Sequence, residues 1–478
     1  MQDYVKHKVK EYIRSQISQS DIRVNAYALN DQGEKNPTRS LFPQIKGFID
    51  DFLSSKTTEP RWLCISGLRG VGKTTLLAQL WATSDIPRDQ KLYLFIDQAS
   101  QILGVSLQDI LEVYEEILGT PYEELRSPVL LFLDEVQYEK NWGIILKTLY
   151  DRAKRVFIVS TGSSALFLQT NADVARRAVF QNMWPMSFTE YLQIKKRKPS
   201  ISNVEDSIKT ALFYSQTEEE VYNGLLSIQK AVENYWIDIH RMEIDTFLKF
   251  GTLPFTLPLK NDGLIYDQIK QILDRIINYD ILNLGCFRSD VINKIPAIIY
   301  TAANSDVMSV TNLSKTFGIT AVTLSQVLDI LEKTQIMFRV YPYGSSYAQV
   351  RKPSKYLFTS SAFRAMEYGF IANIAQIDIQ KGKLLEDIVG LYLMRLLKDQ
   401  PEYSLTYDSG KGGADFIVGF QSSKIVIEVG YGKKGIKQAI LTAEKVEPKY
   451  SLVVAEGNLK MDKEKKIVYV PLEYFLLL

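Results

Sequence analysis

The sequence predicts an α/β protein: a P-loop parallel-sheet core, a helical and winged-helix middle, and a small α/β C-terminal domain. Three observations carry the core. Between residues 61 and 195, strand-length apolar runs at 61–66, 92–97, 129–134, 155–161 and 178–184 alternate with helix-patterned segments. Strands in that rhythm pair in parallel, with helices on both faces of the sheet. The stretch "GLRGVGKT", Gly67 to Thr74, lies between the apolar run "RWLCIS" and the helix-patterned "TTLLAQLWA". Finally, "SPVLLFLDEVQ" carries the apolar run Val129–Leu133 into Asp134 and Glu135.

The first strand delivers the chain to a glycine-rich turn, and the turn feeds a helix whose free N–H groups and positive dipole end face an anion. Gly67, Gly70 and Gly72 let the backbone wrap that anion without Cβ clashes. The expected nucleotide cradle is Gly67, Leu68, Arg69, Gly70, Val71, Gly72, Lys73, Thr74 and Thr75. Lys73 is expected to reach the β- and γ-phosphates of ATP, and Thr74 to offer its hydroxyl to Mg²⁺. A carboxylate at the C-terminal end of a buried strand sits beside such a loop. Asp134 is therefore expected to hold the Mg²⁺ water shell, and Glu135 to orient and deprotonate the water that attacks the γ-phosphate.

The next strand, "RVFIVSTGSS", ends in Ser160 and Thr161, followed by Gly162, Ser163 and Ser164. The Thr161 hydroxyl is expected at the γ-phosphate or the attacking water, with strand-end turn chemistry as the alternative. Arg176 and Arg177 stand just before the last core strand. Either is a candidate arginine finger supplied in trans, which implies a homo-oligomer; a surface arginine is the alternative.

Composition bounds the remainder. A chain of 478 residues holds two or three domains, and 46% hydrophobic with 23% charged residues is ordinary globular usage. A net charge of +2 leaves any basic surface local. Two cysteines, Cys64 and Cys286, and two histidines, His7 and His240, argue against a zinc finger or a disulfide framework. Cys64 reads as a small buried residue. No apolar run is long enough to span a bilayer, and the N-terminus is charged throughout, so no membrane partner and a cytoplasmic location are expected. Val5, Val9, Tyr12, Ile13 and Ile17 form one helical stripe there.

The expected divisions are an N-terminal helical segment at 1–60, the ATPase core at 61–200, a helical region at 201–300, a winged helix at 301–375 and an α/β domain at 376–478. The run "KKRKPSISN", 195–203, reads as a linker. In the middle, a helix, a turn at Gly318-Ile319-Thr320 and a second helix from Ala321 to Lys333 precede a strand and a wing-like hairpin. That second helix offers Thr323, Gln326, Asp329, Glu332 and Lys333, which is not a basic face. Arg339, Arg351, Lys352 and Lys355 follow, interleaved with Tyr341, Tyr343 and Tyr347. Phosphate contact through the wing and pure protein packing both fit. Further on, Glu386 lies on a helix, Asp415 precedes "FIV", and Glu428 closes "KIVI" thirteen residues later. Two carboxylates at adjacent strand ends plus a helix glutamate make a candidate Mg²⁺ site that activates water against phosphate.

"GLRGVGKTT", "FLDEVQ", "STGSS" and "PMSFTEYL", with "FLKFGTLPFTL" and "VRKPSKYLFTSSAF", resemble one group of prokaryotic AAA+-type (ASCE) ATPases. In that group a winged-helix region and a domain similar to PD-(D/E)xK nucleases follow the core. The resemblance spans nearly the whole chain. The nuclease pattern is Asp, then Glu-x-Lys; here Val429 and Gly430 follow Glu428, so the lysine is missing. Lys411, Lys433 or Lys434 are candidate replacements, Gln438 resembles a supporting glutamine, and a degenerate docking domain is the favoured expectation. The resulting expectation is an ATP-hydrolysing, DNA-associated protein whose nucleotide cycle drives domain or subunit rearrangement. One alternative is an ATP-gated, Mg²⁺-dependent DNA nuclease; another is a nucleotide-switched scaffold that binds a protein partner.

Overall fold

Strands buried on both faces read as near-continuous apolar runs, and the first unit is built from such strands. The computed structural model describes residues 2–163, 172–282, 287–369, 380–397, 403–420, 423–432 and 434–478. Ser164, Cys286, Lys433 and the side chain of Tyr347 lie outside the described residues. The chain forms two compact units, Met1–Trp184 and Pro185–Leu478.

In the first unit, β1 (Trp62–Gly67), β2 (Lys91–Phe95), β3 (Val129–Asp134), β4 (Val156–Ser163) and β5 (Val179–Asn182) form one sheet in the order β2-β3-β4-β1-β5. Every neighbouring pair is parallel. β4 therefore stands between the strand that feeds the glycine-rich turn and the strand that ends in Asp134. The register sets Thr161 opposite Ile65 and Ser160 opposite Leu133. The helix Lys73–Thr83 buries Leu76, Leu77, Ala78 and Leu80. The N-terminal helix Asp3–Ser18 belongs to this unit: Val9 and Ile13, one turn apart, enter a core shared with Leu107, Ile110 and Tyr114. Val5, Tyr12 and Ile17 flank them, half-buried against the same core.

The second unit opens on the helix Phe188–Lys196, capped reciprocally by Ser187 and Glu190. Helices continue to residue 333, ending in a helix-turn-helix pair. Val310–Phe317 stops at Gly318, whose φ of +60° closes the helix, and Ala321–Lys333 starts on a Thr320 cap. The strands β6 (Met337–Pro342) and β7 (Lys355–Phe358) follow as an antiparallel pair. This hairpin, expected as a wing, is also part of the C-terminal sheet. Tyr341 and Pro342 of β6 pair in parallel with Thr406 and Tyr407 of β8 (Tyr403–Tyr407). With β9 (Phe416–Phe420), β10 (Ser423–Val429), β11 (Tyr450–Ala455), β12 (Lys460–Asp462) and β13 (Ile467–Pro471), the sheet has eight strands in the order β12-β13-β11-β10-β9-β8-β6-β7.

The helix Lys381–Leu397 packs on β7, β8 and β10 of this sheet. A buried ion pair fixes it. Arg364 donates to both oxygens of Asp387 at 2.6 and 2.8 Å, and the Asp387 carboxylate accepts the Phe358 N–H of β7 at 2.9 Å.

Candidate functional site

Residues Gly67 to Thr75 turn sharply off β1. A Cβ at Gly67 would overlap the carbonyl oxygen of Met183, so the loop passes against the chain just beyond β5 only because residue 67 has no side chain. Gly70 and Gly72 take φ of +82° and +99°. Leu68 and Val71 bury their side chains, so these two offer a ligand only backbone. Lys73 is buried and donates to the carbonyls of Gly67 and Leu68 at 2.9 and 3.0 Å, which holds the ammonium over the loop. Arg69 and Thr75 are half-buried on the loop and the first helical turn, and Arg69 reaches the Tyr138 hydroxyl at 3.4 Å.

Asp134, fully enclosed at the end of β3, accepts from the Thr74 hydroxyl at 2.7 Å and from Thr161, which β4 brings alongside. Thr161 in turn accepts the Glu135 backbone N–H at 3.2 Å. One hydroxyl thus ties both acidic residues to the neighbouring strand β4. Burial pushes the Asp134 carboxyl up to about 6, and the neighbouring Glu135 adds to this against the hydrogen bonds from Thr161 and Thr74. A cation beside Asp134 would restore the charged form. The pair of hard oxygens from Thr74 and Asp134 fits Mg²⁺, which would be held there and would neutralise phosphate charge. Glu135 has φ 57° and ψ 49°, the left-handed region, and Gln137 donates to its carboxylate. A non-glycine residue in that conformation stores strain, a feature that gathers at active sites.

Arg177 lies 2.7 Å from Asp151 of its own unit, and Arg176 is exposed on the turn beside it. A residue without a sequence signal joins this site. Arg39, buried, donates to the Val71 carbonyl at 2.6 Å and the Trp184 carbonyl at 2.7 Å, pinning the crest of the loop. An arginine in a polar stretch between helices carries no pattern that announces such a contact.

The second unit has its own concave site, a cavity of about 1320 Å³ into which Glu386, Asp415, Lys355 and Lys434 project. The Asp415 N–H donates to Glu428 at 3.3 Å, and Asp415 accepts the Val429 N–H at 3.0 Å. Lys355 of β7, with its side chain only 8% exposed, binds Glu386 and lies 3.3 Å from Asp415 Oδ1. Burial lowers the Lys355 amine, but the two carboxylates overcome this and hold it well above the usual lysine range. Lys434 stands 2.8 Å from Glu428. Burial, then Asp415, lifts Glu428 to about 7 against the pull of Lys434.

Among the described residues no group of three or more histidine, cysteine, aspartate or glutamate side chains is arranged to hold a metal. Glu386, Asp415 and Glu428 are thus not gathered as a ligand set. The physical reason is that Lys355 and Lys434 stand among them. Gln438 donates to the Gly413 carbonyl at 3.2 Å, and Lys411 is exposed. Lys355, expected among the basic residues of the wing, is instead buried against Glu386 and Asp415, a placement hidden in the sequence because its strand lies sixty residues before Asp415.

Comparison with known proteins agrees with the geometry of the first unit. Residues 59–192 match the AAA domain family, and residues 242–370 match a domain of unknown function, DUF8612. The uncharacterized protein MJ1637 of Methanocaldococcus jannaschii is 34% identical, over 98% of this chain and 94% of its own. The chain belongs to the family of MJ1637. A second protein of that organism, the uncharacterized MJ1544, is 23% identical over 77% of this chain and 74% of its own. The Aeropyrum pernix ORC1 protein in complex with DNA superposes with a TM-score of 0.31 and 12% identity, over 70% of this chain and 92% of that one. DnaA of Aquifex aeolicus bound to AMPPCP gives 0.26 and 16%, over 62% and 89%. Likenesses of that size carry no argument about function. The AAA domain, with its loop, acidic strand end and threonine in register, makes the chain an ATP-binding, ATP-hydrolysing enzyme. No helix of the described residues is long and apolar enough to cross a membrane.

Proposed function

We propose that ATP hydrolysis at the first unit drives domain or subunit rearrangement of a DNA-associated homo-oligomer in the cytoplasm. The observation that supports this most is the Thr161 hydroxyl, which bridges Asp134 and Glu135 beside Thr74. A change in that corner when the γ-phosphate leaves passes directly to β3 and β4. Lys73 binds the β- and γ-phosphates. Glu135 orients a water, whose oxygen bonds to phosphorus as the bond to the β–γ bridging oxygen breaks, and takes its proton. Arg176 or Arg177 of a neighbouring subunit completes charge stabilisation.

The DNA link rests on the helix-turn-helix pair and on exposed Arg351 and Lys352 of the hairpin. The second helix exposes Val322, Gln326 and Asp329, with Lys333 its exposed cation in the last turn, so most phosphate contacts fall to the hairpin. The test is the ATPase rate with and without DNA across a range of protein concentration. Stimulation by DNA and a rate per subunit that rises with concentration are expected; a strict monomer indifferent to DNA removes the reading and leaves the nucleotide-switched scaffold.

A second reading, ATP-gated and Mg²⁺-dependent phosphodiester cleavage, draws on the cavity of the second unit, where carboxylates and lysines meet. It requires Mg²⁺ to displace Lys355 or Lys434 from carboxylates that are not gathered as a ligand set among the described residues. Plasmid nicking that disappears in Asp415→Ala supports it, and an inert wild-type protein removes it.

A further inference from the structure

Arg39 stands in the stretch "NPTRSLF", just ahead of the helix Leu41–Leu53. The backbone that carries it is anchored first. Asn36 donates its N–H to the Ala28 carbonyl at 2.8 Å. Gln79, on the helix that follows the nucleotide loop, donates its side-chain amide to the Asn36 carbonyl at 2.9 Å. From that footing the buried guanidinium spans two carbonyls, with Nη1 on Val71 and Nη2 on Trp184. A guanidinium is a planar fork with fixed donor directions, so one rigid group sets the spacing of both.

The Val71 carbonyl shares its peptide unit with the Gly72 N–H. Across a trans peptide the C=O and the N–H point to opposite sides. By holding that carbonyl on its own side, Arg39 aims the Gly72 N–H to the other, the orientation that an anion-binding loop needs. The second carbonyl belongs to Trp184, the last residue of the first unit. Two backbone contacts already bring this stretch to the base of the loop. The Met183 N–H donates to the Ser66 carbonyl at 2.7 Å, and only a glycine at position 67 leaves room for the Met183 carbonyl. Arg39 instead meets the crest, where phosphate must seat.

We propose that Arg39 is a positioning residue for ATP hydrolysis, and that it couples the crest of the nucleotide loop to the chain leaving the first unit. Phosphate on the Gly72 N–H fixes the peptide between Val71 and Gly72, and the guanidinium passes that order to Trp184. Such coupling is reciprocal: a shift of Trp184 turns the same peptide and loosens the nucleotide. The Gly72 contact is made to ATP and ADP alike, so Arg39 serves binding more than turnover. The coupling rests on the reading that the ATP cycle drives rearrangement, and it names the residue where that movement begins. The positioning role stands without that reading.

The test uses the full chain, AMPPCP as the probe that is not hydrolysed, and hydrogen exchange read by mass spectrometry. In the wild type AMPPCP should slow exchange across residues 179–184 by about fivefold or more. Arg39→Lys keeps the charge but loses the fork. Its affinity for ATP and for ADP should fall about tenfold, with kcat at saturating ATP changed by less than about threefold. At saturating AMPPCP its exchange across 179–184 should no longer slow. Arg39→Ala should show the same losses, and guanidinium chloride far below denaturing concentration should restore both ATP affinity and the slowing. Wild-type affinity in Arg39→Lys overturns the positioning role, as does a loss of kcat equal to the loss of affinity that guanidinium leaves unrepaired. Exchange across 179–184 indifferent to AMPPCP in the wild type overturns the coupling, however the variants fold. The rearrangement reading fails separately, on a rate indifferent to DNA and to protein concentration while the effects of Arg39 persist.

Discussion

Replacing Glu135 by glutamine and, separately, by glycine pulls apart two things that this residue does. Its backbone sits at φ 57° and ψ 49°. For a residue with a Cβ that conformation costs roughly 1–2 kcal/mol. Glycine removes the cost but loses roughly 0.5–1 kcal/mol of chain entropy on folding. Glu135→Gly should therefore be more stable than Glu135→Gln by about 0.5–1 kcal/mol, read as the difference in denaturant midpoint at equal slope. Both variants lack the base, so turnover should fall by roughly 10²–10⁴ while nucleotide binding by titration persists. The paired outcome is a site more stable without its chemistry. Glutamine turning over ATP at the wild-type rate would refute the base assignment. Glycine less stable than glutamine would refute the strain.

Three further outcomes follow from neighbouring geometry. Thr161→Val keeps the shape of the strand end but unties Asp134 from Glu135; ATP should still bind, and hydrolysis measured by phosphate release should fall by at least tenfold. Arg364→Met leaves Asp387 charged in a fully enclosed setting, which should cost about 3–5 kcal/mol in urea unfolding, and Arg364→Met with Asp387→Leu should recover much of it. Burial, against the pull of Lys270, lifts Glu367 to about 7 in the fold, from about 4.5 unfolded. A raised carboxyl destabilises once it must ionise, so stability is lost as pH rises from about 4.5 to 7. Glu367→Gln should melt above the wild type at pH 8 and level with it at pH 4.

The nucleotide loop was legible because its chemistry is local: glycines, lysine and threonine at fixed spacing between a strand and a helix. Asp134 was legible as an acid at the end of an apolar run. Thr161 was named from its strand end, but its bridge to both acids depends on β4 lying between β1 and β3, and strand order is not written in any one segment. Arg39 reaches the loop from the connection before a helix, where no periodicity marks it. In the C-terminal half the carboxylates could be named from strand ends and Lys434 as one of three candidate amines, whereas which amine stands beside Glu428 could not be read from the chain. Gly430 reads along the chain as a lost lysine, and only the packing of Lys434 against it shows the vacancy filled. Lys355 is placed by β6 and β7 joining β8, a pairing that spans more than sixty residues.

That pairing has a consequence for anyone who would take the protein apart. A cut between the β6–β7 hairpin and β8 strips β6 from β8, leaving each piece with a bare row of backbone donors and acceptors. It also carries Lys355 away from Glu386 and Asp415, so the C-terminal piece keeps buried acids without their counter-ion. Fragments divided there should be sticky and poorly folded when expressed alone, and a faithful minimal piece must begin ahead of the hairpin. The same stitching makes an exchange of C-terminal modules between relatives workable only if the hairpin travels with them.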